Sequence, residues 1–215
     1  YCNRSEKLKW INSFSAGVNP IMDSSIRELP VKLTNAKGIH GKTMALTTAG
    51  YMISFMRHSK ELFERQRNHI WDKHFECQPQ EAEGMTAGII GAGSIGCEVA
   101  RLAKALGMRV LGVKRKVTPL ENFDEVYSNA ELDTVLKQSD FVVIVTPLTD
   151  ETRHMFCKEK FQVMKSTAVL INIARGAVVK EEDLIEALQT GEIGGAALDA
   201  LETEPLPVDS PLWDM

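Results

Sequence analysis

Two clusters of residues carry chemistry in their types and spacing alone. Gly91-Ala92-Gly93-Ser94-Ile95-Gly96 is a G-x-G-x-x-G between an apolar run, Thr86–Ile90, and a helical pattern, Ile95–Leu106, closed by Gly107. In that setting each glycine has a physical task. Gly91 permits the tight strand-to-helix turn, Gly93 lets the backbone approach a pyrophosphate, and Gly96 lets the helix close on the strand. The helix start, with Ser94 and Ile95, turns free N–H groups and a positive dipole end toward the phosphates. The second cluster, Lys114-Arg115-Lys116, follows the next apolar run, Arg109–Val113. About twenty residues past such a loop, an NAD site places Asp or Glu to accept from the ribose 2′-OH. Here no acid occurs before Glu121. Three cations cannot accept from a hydroxyl, but they suit a 2′-phosphate. NADP(H) is therefore the expected cofactor, with NAD(H) as the alternative.

Other chemistries find less support. The four cysteines, Cys2, Cys77, Cys97 and Cys157, are scattered, with no C-x-x-C pair and no histidine at metal-ligand spacing. Neither a metal site nor a disulfide framework is expected, which suits a cytoplasmic protein. Cys97, one turn into the dinucleotide helix, reads as packing. Twenty-five Lys and Arg against 29 Asp and Glu give a net charge of −4, too weak a field to attract nucleic acid or anionic lipid. No run of about 18 apolar residues suggests a membrane span. At 215 residues, 44% hydrophobic and 25% charged, the composition is that of a globular chain with room for one domain and part of another.

These clusters need elements to hold them. Residues 8–14 read as a short strand running into Ser15-Ala16-Gly17, a turn signal, and a second strand lies near Val31–Thr34 after a polar, helix-like segment. From Thr43 to Arg65, Met44, Met52, Phe55, Met56, Leu62 and Phe63 recur near the helical period, predicting one long helix with a packing stripe. Residues 66–85, with Trp71, Pro79 and Gly84, read as a polar arm. Thereafter apolar runs at Ala87–Ile90, Arg109–Val113, Phe141–Val145, Ala168–Ile173 and Gly195–Leu198 alternate with helical stretches. Those stretches are Ile95–Leu106, Glu131–Lys137 with Asn129 as its cap, Lys158–Met164, and Glu181–Leu188 closed by Gly191. Continuously apolar strands alternating with helices predict an α/β fold, a doubly wound parallel sheet covered on both faces.

Three further segments resemble one family. Val145-Thr146-Pro147-Leu148-Thr149-Asp150-Glu151-Thr152 is similar to its strand-four loop. Leu170-Ile171-Asn172-Ile173-Ala174-Arg175-Gly176 is similar to its L-I-N-x-A-R-G signature, and Ala197–Leu206 to its L-D-V-F-x-x-E-P-L segment. With Gly17-Val18 and Thr34-Asn35-Ala36-Lys37-Gly38, the chain resembles the D-isomer-specific 2-hydroxyacid dehydrogenases.

The resemblance implies hydride transfer between a nicotinamide and a small 2-oxo or 2-hydroxy acid. Arg175 would grip the carboxylate and carbonyl with its planar fork, while the N–H groups of Gly17 and Val18 meet the carboxylate. Thr146, Pro147, Ile173 and Ala174 would line the cofactor, and Asp199 would lie near the nicotinamide end. Glu204 would pair with the histidine that protonates the carbonyl oxygen. By the same resemblance, 1–37 is a remnant of a flavodoxin-like substrate domain. Residues 38–215 form a Rossmann-type dinucleotide domain that includes the helix and arm 41–85, which would also serve a homodimer.

The family's histidine motif follows the E-P-L segment and is expected beyond Met215. None of His40, His58, His69, His74 and His154 occupies it. At Ala45-Leu46 the family commonly has an acid after the Ala, so contacts at the domain junction are in question there. Two other readings remain: a dinucleotide-sensing interaction protein of the corepressor type, and a relative acting on phosphite, formate or a phosphorylated hydroxyacid.

Overall fold

The computed structural model describes residues 7–14, 17–22, 24–36, 38–71 and 78–215. Ser15, Ala16, Lys37, His74, Cys2 and Cys77 lie outside the described residues. Two parallel strands, β1 (Trp10–Ser13) and β2 (Lys32–Asn35), pair in register Trp10↔Lys32 and make a small sheet. Between them lie a short helix, α1 (Asn19–Met22), and a 3-10 turn over Ser25–Glu28.

The main sheet has six parallel strands: β3 (Thr86–Ile90), β4 (Arg109–Val113), β5 (Glu125–Tyr127), β6 (Phe141–Ile144), β7 (Val169–Asn172) and β8 (Gly195–Leu198). Their order is β5-β4-β3-β6-β7-β8. This is the order of the doubly wound dinucleotide fold, whose reversal point lies between β3 and β6. Strands β3, β6 and β7 are buried at every position, as strands covered on both faces must be.

Each face has its own apolar core. Helices α2 (Gly41–Met56) and α4 (Ser94–Ala105) bury Ala45, Met52, Met56, Val99, Ala100 and Ala103 against Ile89, Val110, Val143 and Ile171. On the other face, α5 (Leu132–Gln138), α6 (Lys158–Phe161) and α7 (Glu181–Thr190) bury Leu132, Leu136, Phe161 and Leu184 against Leu111, Val142 and Leu170. Alternate residues of each strand serve opposite cores, as the two-residue period of a strand requires.

The structure departs from the sequence-based expectations at four places. The helix expected over 43–65 is two helices, α2 and α3 (Ser59–Arg67), separated by His58 at φ 50° in the left-handed region. Histidine is among the side chains that enter that region most readily, and hydrophobic periodicity cannot register one residue changing basin. α3 buries no residue, so nothing obliges it to continue the path of α2. β5 was not expected, being three residues long at a sheet edge and carrying Glu125 and Tyr127, which bond each other at 2.6 Å. Asn129 does not cap α5: it opens a 3-10 turn, Asn129–Glu131, that leads into the helix and is itself capped at Ser128, whose N–H (3.1 Å) and Oγ (2.7 Å) donate to the Glu131 carboxylate. Finally, the helix expected over 158–164 ends at Phe161.

Candidate active site

The carboxyl ends of β3 and β6 open the crevice where doubly wound sheets hold a dinucleotide. Gly91 turns there with φ 109°, and a Cβ on it would stand 2.9 Å from the Thr146 backbone N. Only glycine therefore lets the loops after β3 and β6 meet. A Cβ at Gly96 would meet the Gly91 carbonyl oxygen at 2.5 Å, so α4 rests directly on the loop. Gly93 is different: its added Cβ would meet nothing within 4 Å. Open space beside Gly93, no capping side chain and no acid in the first turn of α4 leave N–H groups available to an anion. The cradle fits a pyrophosphate.

The basic turn is tied to this loop. The Val113 carbonyl accepts from the N–H groups of Gly91 (3.0 Å) and Ala92 (3.1 Å), and Lys114 N–H donates to the Tyr127 carbonyl at 3.0 Å. Lys114 is half-buried, while Arg115 and Lys116 are exposed beyond it. Across the crevice, Thr152 braces the Thr146-Pro147 turn by donating to the Pro147 carbonyl at 2.7 Å.

Past the reversal point, Asn172 organises the loop after β7. It is fully buried in an otherwise apolar strand, and its amide is satisfied on both sides. Its Oδ1 accepts from the Ala174 N–H at 3.0 Å and its Nδ2 donates to the Arg175 carbonyl at 3.0 Å. Ile173 and Ala174 are buried, and Arg175 emerges exposed at the loop tip. The Arg175 guanidinium lies on Gly17, where it fills the space a side chain would need. Residues 158 positions apart thus meet at the crevice, with half-buried Val18 following Gly17.

Asp199 follows β8 and donates its N–H to the Asn172 carbonyl at 2.9 Å. Burial, and the neighbouring Asp199 carboxylate, push the Tyr51 phenol of α2 above its ordinary value.

Glu204 accepts from the Leu201 N–H at 3.0 Å. Its loop is clamped from two sides. Gly176 has no room for a side chain because the Leu201 carbonyl packs on it. His154 Nε2 stands 2.5 Å from Glu202 Oε1, while Glu202 Oε2 accepts from the Glu181 N–H at 3.1 Å. Burial alone would raise the Glu202 carboxyl, but His154 and the Glu181 N–H outweigh it and hold it below the usual range.

Sequence reasoning singled out neither Tyr51 nor the His154–Glu202 pair. The signal for Asn172 was present, a lone amide ending an apolar run, and it marks a polar group that burial must satisfy. Of the remaining histidines, His40 precedes α2 without a capping bond and His58 Nε2 lies 3.2 Å from the Gln78 carbonyl oxygen. His69 stands at φ 55° after α3. Cys97 and Cys157 are free thiols. Among the described residues no group of three or more His, Cys, Asp or Glu could hold a metal ion. No helix among them is long and apolar enough to cross a membrane.

Comparison with known proteins agrees with this geometry. Residues 49–215 match the family model described as D-isomer specific 2-hydroxyacid dehydrogenase, NAD binding domain. A D-isomer specific 2-hydroxyacid dehydrogenase family protein from Aeromonas salmonicida superposes with a TM-score of 0.91 at 40% identity, over 99% of this chain and 67% of that one. The glyoxylate/hydroxypyruvate reductase B of an Enterobacter species is 37% identical over 97% of this chain and 65% of its own length. An NADPH-dependent glyoxylate/hydroxypyruvate reductase from Sinorhizobium meliloti, solved with NADP and sulfate, superposes with a TM-score of 0.88 at 32% identity, covering 99% and 68%. The chain spans about two thirds of the length of these relatives. By sequence and by fold, it belongs to the D-isomer specific 2-hydroxyacid dehydrogenases.

Proposed function

We propose that the chain serves an oxidoreductase that transfers a hydride between NADP(H) and a small 2-oxo or 2-hydroxy acid of the glyoxylate and hydroxypyruvate class. Residues 38–215 would form its dinucleotide domain and 1–37 part of its substrate domain. The observation that carries this reading is the meeting of Arg175 with Gly17 beside the glycine-loop crevice. One planar cation against a bare backbone, at the sheet edge that also carries the pyrophosphate cradle, is what a carboxylate with an adjacent carbonyl requires.

The reduced nicotinamide, when bound, supplies the hydride. Arg175 binds the substrate carboxylate and draws electron density toward the carbonyl oxygen, where charge develops. Gly17 and Val18 present N–H groups to the same carboxylate. Glu204 orients and stabilises the imidazolium that delivers the proton. Gly91, Gly93, Ser94, Ile95 and Gly96 hold the pyrophosphate, with Thr146, Pro147, Ile173 and Ala174 along the cofactor. Lys114, Arg115 and Lys116 favour the 2′-phosphate. The relative solved with NADP supports that preference.

Titration of the chain with NADPH and with NADH, followed by the nicotinamide fluorescence, tests the reading. Tighter NADPH binding is the expected result; NADH binding as tightly as NADPH would remove the preference, and no binding of either would remove the function.

A cytoplasmic homodimer completes the proposal. Leu46 and Ile53 of α2 and Phe63 of α3 are exposed at 65%, 43% and 63%, and Leu46 and Ile53 lie two turns apart on one face. Such apolar area suits a second copy of the chain. Sedimentation of the protein should give twice the chain mass.

A further inference from the structure

The loop after β6 crosses the crevice opposite the glycine loop and is pinned at both ends. At its start, Val145 donates its N–H to the Ile90 carbonyl, the end of β3, at 2.8 Å. Its far end pairs with the segment that follows Arg175. There the N–H groups of His154 and Phe156 donate to the Ala177 (2.8 Å) and Val178 (3.1 Å) carbonyls, and fully buried Phe156 bridges to Val179. Between these anchors Pro147, Thr149, Asp150 and Glu151 are exposed. Side-chain packing therefore fixes little of the turn beyond Leu148, which reaches the core.

A hydroxyl supplies what packing does not. Thr152 Oγ1 has one proton to give and two lone pairs to fill. The proton goes to the Pro147 carbonyl at 2.7 Å. The Thr149 carbonyl is farther, at 3.3 Å, and already accepts from the Thr152 (3.1 Å) and Arg153 (2.9 Å) N–H groups. The lone pairs accept from the Thr149 N–H at 2.8 Å and the Thr149 hydroxyl at 3.1 Å. One side chain thus ties the tip of the turn to the anchored segment behind it. On its inner side the turn has no slack either. The Thr146 backbone N and the Val145 carbonyl oxygen lie 2.9 Å and 3.0 Å from where a Cβ on Gly91 would stand.

We infer that Thr152 is a positioning residue: its hydroxyl locks the Thr146-Pro147 turn against the glycine loop, so that the crevice is formed before a dinucleotide arrives. The inference rests on the dinucleotide reading of the crevice. A turn ordered in advance removes its ordering cost from binding. The lock acts on the part that NADPH and NADH share, away from the cations after β4. It also joins the cofactor side of the crevice to the Arg175 side, because the segment it is anchored to pairs with residues 177–179.

Two substitutions separate the hydroxyl from the rest of the side chain. Thr152→Val keeps the branched shape and removes the hydroxyl, whereas Thr152→Ser keeps the hydroxyl and removes the methyl group. Thr152→Val should raise the Kd for NADPH and for NADH by the same factor, about fivefold, the net scale of one hydrogen bond. Thr152→Ser should stay within about twofold of wild type for both cofactors. Titration followed by nicotinamide fluorescence reads each Kd, and thermal unfolding accompanies it. Equal NADPH affinity for wild type and Thr152→Val overturns the inference, whether or not the melting temperature falls. So does an equal loss in Thr152→Ser, which assigns the effect to packing of the methyl group. A loss confined to NADPH overturns it too, because the effect then lies at the 2′-phosphate. Failure of the wild-type chain to bind either cofactor overturns the dinucleotide reading itself, and the inference falls with it.

Discussion

Arg175 and Gly17 stand so close that the guanidinium occupies the place where any side chain at position 17 would begin. The contact joins the loop after β7 to the segment between the strands of the small sheet. Arg175 is held from behind, its Nη1 donating to the Ala174 carbonyl at 2.6 Å. A cation braced in this way presents its outer edge at a fixed angle, which is what bidentate recognition of a carboxylate demands.

Gly17→Ala should therefore displace the far end of Arg175 rather than unfold the chain. The obstructing atom belongs to the tip of a flexible side chain, which can move aside. Oxamate, an unreactive mimic of a 2-oxo acid, should bind the NADPH-saturated variant about tenfold more weakly, as expected for a charged pair lost from good geometry. The melting temperature should stay near wild type. Calorimetric titration measures the first and thermal unfolding the second; unchanged oxamate affinity would separate Gly17 from the substrate.

The cations after β4 make an independent prediction. Lys114→Ala with Arg115→Ala should weaken NADPH by about 10- to 100-fold, the loss of one charged hydrogen bond or more to the 2′-phosphate. NADH, lacking that phosphate, should change little. Raising the salt concentration should weaken NADPH more than NADH in the wild-type chain, because exposed charges are screened. Parallel titrations at low and high salt decide the matter, and equal losses for both cofactors would count against the assignment.

The glycine loop and the cations after β4 were legible in the sequence for the same reason: their chemistry is local. A glycine spacing between a strand and a helix, or three successive cations at a strand end, needs no tertiary knowledge. Strands β3, β4, β6 and β7 were legible because burial along all or nearly all of each leaves a continuous apolar run, and half-buried β8 because its four residues are small or apolar. The break at His58 was not, because one residue in the left-handed region leaves the apolar period on either side intact. β5 was hidden because an edge strand stabilised by Arg109 and Glu125 looks polar. Tyr51 and Asp199 lie 148 positions apart. Their proximity depends on how α2 packs over the sheet, and a single chain of letters does not encode that packing visibly. The His154–Glu202 clamp was obscured for the same reason.

Two glycines of one motif should fail in different ways. At Gly96 an added methyl meets backbone, the Gly91 carbonyl oxygen at 2.5 Å, and then Ile89 Cγ2 at 3.2 Å. Neither yields cheaply, so Gly96→Ala should cost about 1–3 kcal/mol of stability through overpacking. At Gly93 the methyl enters open space on an extended backbone, φ −96° and ψ −160°. Gly93→Ala should keep the wild-type melting temperature yet lose at least about tenfold in NADPH affinity, because the methyl stands where a phosphate must approach. Thermal unfolding and NADPH titration on the two variants test this. Equal melting temperatures for Gly96→Ala and Gly93→Ala would contradict the packing argument.

The clamp on the Glu204 loop carries a pH signature. Burial raises the Glu202 carboxyl, but the hydrogen bonds from His154 and the Glu181 N–H, with the His154 and Arg153 charges, leave it below its ordinary value. In the folded chain this group therefore gives up its proton more readily than in the unfolded chain. Its stabilising contribution is complete above the unfolded value of about 4.3 and disappears as pH falls through the lower, folded value. Glu202→Gln cannot titrate, so at neutral pH it should melt below wild type, and on acidification through pH ~4.5 and downward the gap should close. The loop it releases packs on Gly176 through the Leu201 backbone, so the loss should register at the site as well. Glu204 accepts from the Leu201 N–H, and a looser Leu201 frees that carboxylate from its orientation. Melting curves of both proteins between pH 7 and pH 3.5 measure the gap. A difference that stays constant over that range would show that Glu202 contributes through packing alone, and not through its charge.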